Sequence, residues 1–171
     1  MANELFNPTQ LLAVLEDLAA DIASGYKETL ERNGHVASGS LVDSISTEVE
    51  VRGSHYIVWL DMRDYWRYVE QDTKPHWPPQ QAILEWIRVK PVIPRPDDRG
   101  RIPTPKQLAF LIGRAMAGLS PNQARLKNPR GGTTGTHDLE KTIDSVLAFY
   151  TDRLTEALAE DAERYITAWM P

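Results

Sequence analysis

Two amphipathic stretches, one near each end of the chain, constrain its fold more than anything between them. In the first, Leu11, Leu15, Leu18, Ile22, Tyr26 and Leu30 recur at spacings of three and four, which puts them on one stripe of an α-helix. Asn7 suits the N-cap and Pro8 the first helical position, where a missing N–H does no harm, and Asn33-Gly34 supplies the stop. In the second, Leu139, Ile143, Val146, Leu147, Tyr150, Leu154, Leu158, Tyr165, Ile166 and Trp169 follow Asp138, so a long helix is expected over 138–169 with acids on its other faces. Helices of this length span roughly 40 Å, more than a small domain needs, so their ends are expected to project onto something else. The chain has no internal repeat and no sustained heptad pattern.

The middle of the chain reads as shorter elements. Ala37 to Ile45 is a turn with a short helical piece, in which Leu41 and Ile45 share a face. Thr47, Val49 and Val51 alternate with polar residues, and Gly53-Ser54 separates them from His55-Tyr56-Ile57-Val58-Trp59-Leu60, which predicts a β-hairpin. Pro79 opens a helix with Ile83, Leu84 and Ile87 on its apolar face, and Pro91 ends it by Lys90. Thr104-Pro105 caps a further helix whose face is read as Leu108, Leu111, Ile112, Ala115 and Met116, ending near Gly118. The fold class is therefore α+β, with long N- and C-terminal helices packed with shorter helices around a small antiparallel β-sheet. One domain over 1–171 is expected, with extended loops at 91–105 and 119–136. The first holds five prolines around Asp97-Asp98-Arg99-Gly100, and the second is polar and Gly-rich, which reads as an exposed loop that orders against a partner.

With 42% hydrophobic residues in 171, such a domain can bury a core without disulfides or metal. The absence of cysteine removes thiolate chemistry and fits a reducing compartment, the cytoplasm. Met1 to Phe6 lack the basic start and apolar run of a signal peptide, and no stretch nears the roughly 20 apolar residues of a membrane span. An unexported protein without a membrane partner is expected. Charge is blocked: residues 1–87 carry 14 acids against 6 bases, 88–130 carry 2 against 10, and 137–171 carry 8 against 3. Either the blocks neutralise one another within a monomer, or the basic block of one copy faces an acidic block of the next.

Three stretches, taken in order, resemble the head-to-tail joining proteins of tailed bacteriophages, also called neck or tail-completion proteins. The first is Ala37-Ser38-Gly39-Ser40-Leu41-Val42-Asp43-Ser44-Ile45, with Ser38-Gly39 where threonine-glycine is usual. The second is Tyr65-Trp66-Arg67-Tyr68-Val69-Glu70-Gln71-Asp72-Thr73-Lys74-Pro75, with Asp72 in place of the usual glycine. The third joins His76-Trp77-Pro78-Pro79 and Ala82 to Ile87 with Gln107 to Ile112. Together they cover about residues 8 to 118, and the last fifty residues lie outside the resemblance. The resemblance implies a structural virion protein of the neck or tail, assembled in the host cytoplasm. It would form a six-fold or twelve-fold ring with copies of itself, between a portal or head-completion protein and a tail or tail-terminator protein. DNA would pass through transiently, with no catalytic residues and no cofactor.

The residues themselves allow several readings. Tyr65, Trp66, Tyr68 and Trp77 are either an interface cluster or the packing of a corner against the hairpin. Glu70 either caps a nearby turn or pairs with Arg67 or a neighbouring subunit's base. Arg88, Lys90, Arg95, Arg99, Arg101, Lys106, Arg114, Arg125, Lys127 and Arg130 make 88–130 the candidate for docking to an acidic portal or tail surface, or, alternatively, to DNA as an accessory protein. A metal-dependent nuclease would need Asp97, Asp98 and Glu70 to converge near Arg99 or Lys106. His35, His55, His76 and His137 show no metal-ligand spacing. Arg130 to Thr136 lacks the Gly-Lys-Ser/Thr ending of a nucleotide loop and reads as a flexible linker.

Overall fold

The computed structural model describes residues 8–170, apart from 37, 91, 98 and 127. Asn7, Asp98 and Lys127 therefore lie outside the described residues. The element order is α1 (Thr9–Arg32), α2 (Ser40–Ser44), β1 (Ser46–Arg52), β2 (His55–Asp61), α3 (Trp66–Glu70), α4 (Gln80–Val89), α5 (Pro105–Met116), a single 3-10 turn (Gln123–Arg125) and α6 (Asp138–Trp169). This is the expected α+β class, with long terminal helices and a two-stranded antiparallel sheet. None of the described helices is long and apolar enough to cross a membrane. By its contacts the chain divides into two compact units, Met1–Val36 with Ser40–Asp64 and His137–Pro171, and Ala37–Gly39 with Tyr65–Thr136.

In the first unit the α1 stripe is buried as its spacing requires, from Leu11 through Leu30. Leu11, Leu15, Leu18 and Ile22 meet Tyr150 of α6, and Ile143, Val146 and Leu154 close over the same core. The hairpin lies against this core through Val49, Tyr56, Val58 and Leu60, because its register pairs Val49 with Val58 and Thr47 with Leu60, and paired residues share a face. On the other face Glu50 accepts from the Trp59 indole at 2.8 Å and from Arg52 at 2.8 Å.

The ends of α1 are held by α6. Pro8 occupies the N-cap position, so the helix begins one residue later than the sequence suggests, and Pro8 offers no side-chain cap. The orphan N–H groups of the first turn go instead to Asp161, whose carboxylate accepts from Gln10 at 3.1 Å and Leu11 at 2.8 Å. Asp161 is buried, so these charge-assisted bonds act at reduced dielectric and complement the positive end of the helix dipole. At the other end Gly34 takes a left-handed φ of 67°, and His35 and Gly34 donate back to Leu30 and Glu31, which satisfies the last carbonyls. There the buried Asp138, at the start of α6, accepts from the Asn33 amide at 3.0 Å. Replacing Asp161 with Ala should lower unfolding free energy by about 2 kcal/mol, with Asp161→Asn retaining part of it, as read by urea denaturation.

Tyr150 is buried between the helices, and its hydroxyl donates to Asp21 at 2.6 Å while Arg153 lies over its ring at 4.5 Å. Burial first, and the Asp21 carboxylate second, push the phenol above its ordinary value of 10.0. The neutral phenol is thus favoured in the fold, and this stabilisation is complete below 10.0 and lost as pH rises through the higher folded value. Tyr150→Phe should cost about 1 kcal/mol at neutral pH and flatten the decline of stability in alkali, measured by denaturant melts across that range.

Candidate functional site

The second unit is organised by two junctions, the first between the α3 segment and the Gly-rich segment before α6. Thr73 donates to the Thr133 carbonyl at 2.9 Å, Thr133 N–H returns a bond to Thr73 Oγ1 at 2.9 Å, and the two hydroxyls lie 2.8 Å apart. Thr136 N–H donates to the Val69 carbonyl at 3.0 Å, and its hydroxyl donates to Glu70 Oε1 at 3.0 Å. Glu70 is accordingly buried and anchors this junction from within. Asp72, standing where the resemblance has glycine, keeps an ordinary backbone and uses its carboxylate to accept from Gly135 N–H at 2.8 Å.

This corrects the reading of Arg130 to Thr136 as a flexible linker. Glycine there serves close approach: a Cβ on Gly132 would collide with the Thr73 carbonyl, and one on Gly135 with the Glu70 carbonyl. Backbone-to-backbone bonding then becomes possible without a strand of any length. Gly135→Val should therefore pry the two segments apart and cost about 3 kcal/mol or more, with hydrogen exchange accelerated at Thr73 and Thr136 and little changed at Leu15 or Leu18.

The second junction is between α4 and α5. Thr104 and Gln107 form a reciprocal capping box at 3.3 and 2.9 Å, as Thr104-Pro105 leads one to expect. The expected face of α5 is half-buried apart from Leu111, and its fully buried positions are others. They are small residues, Ala109 (0% exposed) and Gly113, with Ile83 of α4 and the Trp77 ring against Gly113. Small residues let the helices approach closely, and Leu108, Ile112, Ala115 and Met116 beside them are half-buried. Leu111 is exposed where the sequence suggests burial, and so is Phe110 (48%).

The aromatic residues are not one cluster. Trp77 packs obliquely on Phe110, with ring centroids 5.5 Å apart at 59°, and stays 47% exposed. Trp66 is half-buried under Arg67, whose guanidinium lies 5.8 Å from the ring centroid. Tyr65 and Tyr68 are exposed, Tyr68 at 69%. Ile93, Ile102 and Leu119 add to the apolar surface of the unit, Ile93 at 91%. The burial expected of a packed corner is thus missing for Tyr65, Tyr68 and Trp77.

Beside this surface the loop after α4 folds back to α5 around an open groove of about 760 Å³. Its floor is Ile102, Pro103, Phe110 and Leu111, and its rim carries Arg95, Arg101 and Lys106. The loop tip is shaped by Asp97, which accepts from the Arg99 and Arg101 N–H groups at 2.9 and 2.8 Å and pairs with the Arg101 guanidinium at 2.8 Å. The Arg101 backbone first, then its side chain, hold the Asp97 carboxyl below the usual carboxylate range. That carboxylate is committed to its own loop, and Glu70 to Thr136. Among the described residues no group of three or more His, Asp or Glu is placed to hold a metal.

Of the remaining basic candidates, Arg99 is exposed at the loop tip, while Arg125 in the 3-10 turn and Arg130 are exposed on the later segment and line no part of the groove. Nothing in the sequence sets Phe110 and Ile102 apart; the Ala109-to-Gly113 spacing of four is the signal it offers for the fully buried positions of α5. Comparison with protein-family models, with curated proteins and with solved structures finds no match.

Proposed function

We propose that this protein is a non-enzymatic structural subunit of the neck of a tailed bacteriophage, which assembles with itself into a ring and joins the capsid portal to the tail. The three ordered motifs support this reading, and one structural observation carries the assembly part of it. The second unit buries Ala109 and Gly113 and turns Tyr68, Trp77, Ile93, Ile102, Phe110 and Leu111 outward. Apolar surface of this kind, rimmed by charge, marks a protein–protein contact, and exposed aromatics are effective anchors in such contacts. The portal or head-completion protein and the tail or tail-terminator protein are the partners of the two ring faces, with the loops at 91–105 and 119–136 as contact elements.

A second reading is favoured by the grouping of Arg95, Arg101 and Lys106 on one groove: an accessory protein that binds duplex DNA through phosphates. A channel that lets DNA pass is better served by weak contact, and the apolar floor of the groove has no role on a phosphate backbone. Native mass spectrometry of the chain, alone and mixed with portal and tail proteins of the same genome, separates the readings. The neck reading predicts discrete hexamers or dodecamers, or a stoichiometric complex with a partner. A monomer that ignores both proteins, together with salt-dependent retention of duplex DNA, would replace it with the DNA-binding reading.

A further inference from the structure

The groove and the final helix are complementary in polarity and charge. At 1.5 Å per residue the 32 residues of α6 span about 48 Å and the 24 of α1 about 36 Å. Because Asp161 meets the first turn of α1, α6 runs on from Ala162 to Trp169 beyond that contact. Leu158, Ala162 and Ile166, four residues apart, form a stripe away from the buried Ala157 and Asp161. Leu158 and Ile166 are exposed. Asp152, Glu156 and Glu163, at spacings of four and seven, run alongside this stripe, and all three are exposed.

The groove presents the opposite character. Its floor is apolar, and Arg95 and Lys106 on its rim enter no ion pair among the described residues. Arg101 is partly neutralised by Asp97, so Arg95 and Lys106 are the cations that remain for a partner.

Resting on the ring reading above, we infer that the groove receives the acidic, outward face of α6 from a second copy of this chain. Leu158 and Ile166 pack on Ile102, Phe110 and Leu111, while Glu156 and Glu163 face Arg95 and Lys106. The contact joins two different surfaces, so it is head to tail and closes into a ring when its rotation divides a full turn. Being partly ionic at an exposed rim, it weakens as salt rises.

Charge reversal tests this directly. Arg95→Glu with Lys106→Glu, and separately Glu156→Lys with Glu163→Lys, should each weaken self-association by on the order of tenfold or more per reversed pair, with melting unchanged because all four side chains are exposed. Mixing the two variants pairs each altered surface with its complement and should restore assembly. The chain contains no cysteine, so mixing a Leu111→Cys copy with an Ile166→Cys copy under oxidation should give a heterodimeric disulfide adduct. Rings that form despite both reversals, with no such adduct, would overturn the inference and leave the ring reading standing. A chain that binds portal or tail protein but never itself would overturn the inference and leave the neck assignment. A chain that does neither would remove both.

Discussion

Two buried carboxylates on α6, Asp138 and Asp161, meet the opposite ends of α1, and the rest of the first unit depends on the register they impose. Asp161 takes the first-turn N–H groups of α1 and Asp138 takes the Asn33 side chain at its far end. A slip of α6 by one turn would strand both charges in a buried setting without their donors, a loss of several kcal/mol. With the register fixed, Tyr150 arrives beside Leu15 and Leu18, its hydroxyl reaches Asp21, and Arg153 reaches Asp17 at 3.1 Å. The hairpin adds its inner face to a surface that the two helices have already defined.

The second unit is built on close backbone approach. Ala109 and Gly113 bring α5 against α4, and Gly132 and Gly135 bring their segment against Thr73 and Glu70. Such junctions gain hydrogen bonds and dispersion contacts but bury few large side chains. The apolar groups that a larger core would absorb are left facing solvent, which links the packing of this unit to its proposed role in assembly. A subunit whose second compact unit is completed by a neighbour has reason to assemble.

What could be read in advance follows the range of each interaction. The α1 stripe, the Asn33-Gly34 stop, the hairpin and the Thr104 cap are local patterns, and the structure has them where periodicity and capping chemistry put them. The Asp161 cap joins residues some 150 positions apart, and nothing near Gln10 or Leu11 announces it. Arg130 to Thr136 reads as a linker in the sequence because flexibility and close packing call for the same residue. On α5 periodicity finds the half-buried Leu108, Ile112 and Met116 but misplaces Leu111 and passes over Ala109 and Gly113, because large apolar residues dominate such an argument while the fully buried ones are small. For the site, the basic block was legible as composition, yet only Arg95, Arg101 and Lys106 share the groove. Arg125 and Arg130 lie on a different segment, and Lys127 lies outside the described residues.

The function proposed for this chain depends on its assembling with itself through an apolar and charged surface. Sedimentation of the purified protein over a range of concentrations and salt tests it most directly. Mass above the 19.3 kDa monomer is expected, rising with concentration to one discrete closed species and falling back as salt is added. A single 19.3 kDa species at every concentration and low salt would contradict it.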